Sequence, residues 1–239
     1  MSRVRASLVR PTPVTRAAAL LVGLVIAGSF GFLVSRYPDL PALLPVRFRS
    51  NGTPIGWQYK TLGRVLLPVL IQLALALTLG AIGALLLSRR HGEPDALAPD
   101  VGAAKTAAEA VILITLIWVS FQAYASVALA SMWQEERGGL GRWYYYLQLV
   151  GFVLTGIVAV RAHVRLGRPD PRPFVADHWR FGQLYKNAED PALFVPTRDG
   201  SRWTLNFGRP VTAALLALVL GIGIVGPVAI LVLALRWNR

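Results

Sequence analysis

The sequence predicts an all-α membrane protein, a bundle of about five transmembrane helices with a small cytoplasmic β-hairpin insertion. Three observations predict it. Charge is scarce: 15% of the 239 residues are Asp, Glu, Lys or Arg and 54% are hydrophobic, where a soluble domain carries roughly 25% charged residues. The scarcity is patterned, leaving uncharged stretches at 17–35, 65–88, 110–134, 143–160 and 210–235. A helix crosses a hydrocarbon core of about 30 Å with roughly 20 apolar residues, and all five stretches are near or above that length. The loops and tails between them are too short to bury five such runs in a soluble shell.

The elements follow in chain order. Residues 1–88 hold the first two expected helices and, between them, an outer loop module at 36–64. The run from Ala17 is longer than a signal-peptide core of roughly 7–15 residues, so an uncleaved anchor is expected. Residues 89–160 hold helices three and four; Thr106 and Glu109 stand at capping-box spacing before the third. Residues 161–209 form a cytoplasmic loop domain with a hairpin at 193–207, and 210–239 the fifth helix. Pro210 suits the first turn of that helix, and Gly226-Pro227 should bend it. Small residues recur every fourth position in helix one (Ala19, Gly23, Ala27, Gly31) and helix two (Ala76, Gly80, Ala84). Such stripes let helix backbones approach in lipid, and packing inside the bundle is the first expectation, self-association into a homo-oligomer the second.

Orientation follows from Lys and Arg. Alternate segments carry 16 on one side, beginning with the N-terminal tail, against 9 on the other. The richer side should be cytoplasmic, which puts the N-terminus inside and the C-terminus outside. Trp133, Trp143, Tyr144, Tyr145, Tyr146 and Trp237 then fall at the outer interface, where amphipathic rings concentrate. The net charge of +13 points to anionic headgroups of the lipid bilayer, not to nucleic acid, because the arginines flank the apolar runs.

Reactive chemistry is sparse. The chain has no cysteine, which removes disulfides, thiolate metal sites and thiol nucleophiles. No ionisable residue interrupts an uncharged run, so the intramembrane charges of proton-coupled pumps are absent. The polar groups there are Gln72, Thr115, Ser120, Gln122, Ser126, Gln148 and Thr155, suited to hydrogen bonds between helices. His91, His163 and His178 lack metal-protease spacing. No catalytic residue, metal site or cofactor is expected.

Two loops carry patterned sequence. In the first, Tyr37, Pro38, Pro41, Pro45, Pro54, Trp57 and Lys60 surround Val46-Arg47-Phe48-Arg49, which alternates as a short strand would, and Asn51-Gly52, a tight-turn signal. In the second, Asp199-Gly200 separates two strand-like runs and reads as a type I′ turn. Trp203, Leu205 and Phe207 should share one face, with Arg202, Thr204 and Asn206 on the other. Pro196 confines its strand to an edge. The first loop resembles a bacterial membrane-protein family of unknown function whose outer-loop module also begins the SdpI-type immunity proteins. Arg47 stands where that family usually has His, and the second-half Gly-Ile-Arg-Thr-Pro-like motif of SdpI-type proteins is not found in this chain. The second loop, through Trp179, Tyr185, Asn187, Asp190, Pro191, Pro196, Gly200, Trp203 and Asn206, resembles a second small family of unknown function that often accompanies the first.

The resemblance implies residence in a bacterial inner membrane and a non-enzymatic role in sensing or resisting a toxic peptide or other envelope stress, with a peptide or protein partner. A small transport or channel component is the alternative, with the bent fifth helix and the polar faces of helices two and three lining a path. A membrane enzyme would have only His163, His178 and Asp177 to draw on.

Overall fold

The computed structural model describes residues 6–49, 53–90, 98–135, 139–170 and 172–221. Strand β1 (Ala6–Leu8) precedes α1 (Pro13–Arg36), and the strands β2 (Leu43–Phe48) and β3 (Pro54–Tyr59) follow. A single turn, α2 (Leu62–Val65), leads into α3 (Leu67–Leu86) and β4 (Ser88–Arg90). Then come the long helices α4 (Ala98–Gln134) and α5 (Arg142–Leu166). Four short strands, β5 (Trp179–Arg180), β6 (Leu184–Tyr185), β7 (Phe194–Pro196) and β8 (Trp203–Leu205), precede α6 (Pro210–Leu220). The strands pair in four two-stranded antiparallel sheets, β1 with β4, β2 with β3, β5 with β6 and β7 with β8.

Among the described residues, α1, α3, α4 and α5 are long and apolar enough to cross a membrane. Helix α6 is apolar over 11 residues and begins, as the sequence implies, with proline in its first turn. The expected bend at Gly226-Pro227 and the ring of Trp237 lie outside the described residues.

Several expectations are corrected. Helix α4 begins at Ala98, so Thr106 and Glu109 are interior positions and not a capping box. The Thr106 hydroxyl donates to the Gly102 carbonyl one turn back at 3.0 Å, and Glu109 is bound by Thr12 and Arg165 at 2.6 Å each. Pro68 has no N–H to give the Arg64 carbonyl, so α2 and α3 separate at Leu66. The small-residue stripe of α1 faces outward. Its buried side is Thr15, Ala18, Val22, Ser29 and Leu33, while Ala19, Gly23, Ala27 and Gly31 are exposed, with nothing within 4 Å of a Cβ built on either glycine.

The folded chain forms two compact units. One is Met1–Thr12, Ala81–Glu109 and Ala162–Arg239; the other is Pro13–Gly80 and Ala110–Arg161. The second has a core of Leu33, Leu40, Leu44, Val65, Val69, Ala130, Met132 and Trp133. Trp133 is therefore a core residue and leaves the expected aromatic belt; Trp143, Tyr145 and Tyr146 are exposed. In the same unit Gln72 is fully buried, and its amide nitrogen donates to the Ser29 hydroxyl at 3.0 Å and the Val119 carbonyl at 3.2 Å, joining α1, α3 and α4. Trp118 donates to the Thr155 hydroxyl at 3.2 Å and joins α4 to α5. These polar groups thus serve helix packing.

Candidate functional site

The first loop is organised by one cation and one hairpin. The chain leaves α1 with carbonyls that no helical N–H can reach. Just past that end the Lys60 ammonium donates to three further carbonyls, those of Tyr37 at 3.0 Å, Pro38 at 3.4 Å and Leu40 at 2.6 Å. It also lies 4.9 Å from the centre of the Tyr37 ring. This single group ties the two ends of the motif together. Pro41 leads into β2. Pro45 is buried opposite Trp57, Phe48 faces Pro54, and the Arg47 stem lies over Gly56, 3.1 Å from where a Cβ would sit. Asn51 and Gly52 lie outside the described residues; on either side of them Arg49 N–H donates to the Thr53 carbonyl at 2.9 Å. Along β3, burial alternates, and Ile55, Trp57 and Tyr59 are the exposed set. Leu43, paired with Tyr59, is exposed too.

The second loop is organised around Asn206, which is wholly buried. Its amide nitrogen donates to the carbonyls of Asn187, Asp190 and Ala192 at 2.8, 3.0 and 3.2 Å. Its amide oxygen accepts the N–H groups of Asn187 at 3.1 Å and Gly208 at 2.9 Å. The backbone carbonyl of Asn206 accepts the Thr212 hydroxyl at 2.6 Å, which fixes the start of α6. Gly208 is obligatory, because a Cβ there would lie 2.4 Å from the Asn187 carbonyl carbon. Asp190 accepts from Ala192 N–H, the Tyr185 hydroxyl and Arg172 at 2.9, 2.9 and 3.1 Å. Burial, then the bond to Asp190 and that carboxylate's charge, hold the Tyr185 phenol above its ordinary pKa, so it stays a donor. Asn187 stabilises its own turn by accepting Glu189 N–H at 2.9 Å. Trp179 packs against Tyr185 and Phe174, and Pro191 leads into the buried Ala192-Leu193 pair.

The β7–β8 hairpin differs from the expected two-residue turn. Register runs Phe194 to Leu205, Val195 to Thr204 and Pro196 to Trp203. Gly200 N–H reaches back to the Thr197 carbonyl at 2.8 Å, and φ is positive at Gly200 (+68°) but not at Asp199. This is a longer turn closed by a glycine in the left-handed region. Asp199 holds it from outside. It accepts the Thr197 hydroxyl at 2.6 Å, the Ser201 hydroxyl at 2.5 Å and Ser201 N–H at 3.2 Å. The Ser201 hydroxyl, then that of Thr197, lowers its carboxyl pKa to about 2. Trp203 donates from its indole to the Leu166 carbonyl at 3.1 Å and so holds the hairpin to the last turn of α5.

Reasoning from sequence missed Asp100, which accepts Leu193 and Phe194 N–H at 3.2 and 2.7 Å and is 1% exposed. It also missed Gly208 and the β5–β6 hairpin, whose turn puts Phe181 at φ +50° and Gly182 at +73°. A groove of about 890 Å³ lies along the two hairpins, lined among others by Trp179, Leu184, Arg198, Arg202 and Phe207.

In the second loop Asn187, Asp190, Asp199 and Asn206 each bind backbone N–H or carbonyl groups, and among the described residues no three His, Asp or Glu side chains gather where they could hold a metal. His178 meets Asn187 at 3.4 Å and makes a T-shaped contact with the Tyr185 ring. No protein-family model matches the chain, and no curated protein or solved structure does.

Proposed function

We propose that the chain is a multi-pass protein of a bacterial inner membrane, with five spans, the N-terminus and the 161–209 loop in the cytoplasm, and the 36–64 loop and the C-terminus outside. In this reading it is non-enzymatic and detects or blocks a membrane-active peptide at its outer hairpin, passing the event to the inner loop. Support for the membrane comes from large apolar side chains left bare on the long helices, such as Leu20 (71% exposed), Leu24 (67%) and Leu77 (73%). In water a contiguous apolar surface of that kind is a liability; in lipid it is the expected face.

The observation that carries the sensing role is the bare face of β3. Ile55, Trp57 and Tyr59 point away from the core on a hairpin fixed by Lys60 and a buried Leu44. A rigid strip of aromatic and aliphatic groups suits the apolar face of an amphipathic peptide. The transport alternative has less support, because Gln72, Ser29, Trp118 and Thr155 are spent on helix-to-helix bonds. The outward stripe of α1 favours a homo-oligomer, since small residues every fourth position allow close helix contact.

The test is survival of a deletion strain against a panel of membrane-active peptides, complemented by the wild type or by the double substitution Trp57→Ser, Tyr59→Ser. Survival restored by the wild type and not by the double variant, at equal membrane levels, is the expected result. Equal survival of deletion and parent against the whole panel would remove the sensing role.

A further inference from the structure

The arginines that follow α5 divide into two sets. Arg165 is paired with Glu109 at 2.6 Å and Arg172 with Asp190 at 3.1 Å. Among the described residues, Arg168 and Arg202 have no ion-pair partner, and both line one open cavity of about 470 Å³ together with His163, Val164, Gly167 and Ser201. The cavity is a built feature. Its two walls, the end of α5 and the β7–β8 turn, are joined by the bond from the Trp203 indole to the Leu166 carbonyl at 3.1 Å. Gly167 leaves the helix at φ +58°, with nothing within 4 Å of where a Cβ would sit, and so opens the floor.

The cavity also has a predictable depth. The uncharged run of α5 ends at Val160. At 1.5 Å per residue, His163 and Val164 lie roughly 5–6 Å beyond it, and a headgroup layer is about 5–8 Å thick on each side of the hydrocarbon. One wall therefore stands in that layer, where Val164 is 72% exposed beside the basic groups. An apolar side chain next to two unneutralised guanidiniums at that depth matches a phospholipid, acyl chain on one side and phosphate on the other. Arginine's planar fork suits phosphate oxygens. The carbonyl end of α5 opposes an anion. The Trp203 indole covers its Leu166 carbonyl, however, and two full positive charges exceed a helix-end charge of about half a unit.

We propose that this cavity is a binding site for the phosphate headgroup of an anionic phospholipid from the protein's own inner leaflet. The site rests on the membrane reading above. Arg168 and Arg202 hold the phosphate, and Val164 meets the first carbons of the chain. A bound lipid would lock the β7–β8 hairpin to the end of α5 and make its position sensitive to lipid composition.

The experiment uses the full chain in nanodiscs of phosphatidylethanolamine alone or with phosphatidylglycerol or cardiolipin, and native mass spectrometry of the released protein. Wild type is expected to retain anionic lipid selectively. Arg168→Gln with Arg202→Gln should weaken retention about 10- to 30-fold, since each basic side chain near the surface contributes about a factor of five. Arg198→Gln, outside this cavity, should leave retention unchanged. Retention by the double variant equal to wild type overturns the site. Full displacement by millimolar inorganic phosphate overturns the lipid assignment in favour of a soluble anion. Incorporation into every nanodisc with no lipid preference overturns the site and leaves the membrane reading standing; failure to incorporate into any overturns both.

Discussion

At the scale of single residues, two side chains do work that their positions in the sequence barely advertise. Asn206 satisfies five backbone groups, all belonging to residues 187–208. Strand alternation placed it on the face opposite Trp203 and Leu205 with the polar set, and gave no sign that it is buried. Its partners are carbonyls and N–H groups brought together by folding, and backbone groups leave no mark in a sequence. Replacing it with leucine keeps the size and strands those groups, each at about 1–3 kcal/mol. Asn206→Leu should therefore lower the stability of the second loop by at least 3 kcal/mol, seen as loss of amide protection across 187–208. Near-wild-type protection would mean that Asn206 is not the organiser. Lys60 is the simpler case. Its three carbonyl bonds are charge-assisted, so Lys60→Met should cost about 2–3 kcal/mol and free the β2–β3 hairpin from the end of α1. A thiol probe placed at residue 42 in a cysteine variant would report that release as faster labelling.

At the scale of elements, the long helices were legible because lipid-length apolar runs have few alternative explanations. Their ends were not. The first three turns of α4, with Lys105 and Glu109, read as loop because charge was taken as the boundary, whereas a helix continues wherever its charged groups find partners. Glu109 finds Thr12 and Arg165, residues far away in the chain. Short strands paired across long separations, such as β1 with β4, are illegible for the same reason. The β7–β8 turn was legible in place and wrong in type: the glycine needs positive φ, but Asp199 serves through its side chain. Gly200→Val should cost about 1–3 kcal/mol of local strain. Because Val195 is buried and Trp203 is bonded to Leu166, the loss should stay within 197–202, read by amide exchange, with 194–196 and 203–205 still protected. Asp199 adds a pH dependence. Its folded pKa of about 2 lies below the unfolded value of about 3.9. Its stabilisation is thus complete above roughly pH 4 and lost as pH falls through about 2. Exchange at the turn should accelerate over that window, and Asp199→Asn should flatten the response.

At the scale of the whole molecule, the proposed direction across the membrane rests on charge. Lys and Arg number 16 in one set of alternating segments and 9 in the other, and the richer set is retained in the cytoplasm during insertion. The structure redistributes some of these charges without altering the count. Lys105 moves from loop to helix, and Arg165 and Arg172 are neutralised by Glu109 and Asp190. The rule concerns the chain as it inserts, before such pairs form, so all nine basic residues of 161–209 still count. Reporter fusions after residue 60 should therefore be active only outside, and fusions near residue 185 only in the cytoplasm. The fifth span is tested by a fusion at the C-terminus, which should report outside if the apolar run at 210–235 crosses completely. If it reads cytoplasmic while the other two hold, the chain has four spans, and the segment that begins as α6 lies against the inner face. Reversal of the first two signals would turn the protein over. The Ile55-Trp57-Tyr59 face would then meet the cytoplasm, and the Arg168–Arg202 cavity would meet the outer leaflet.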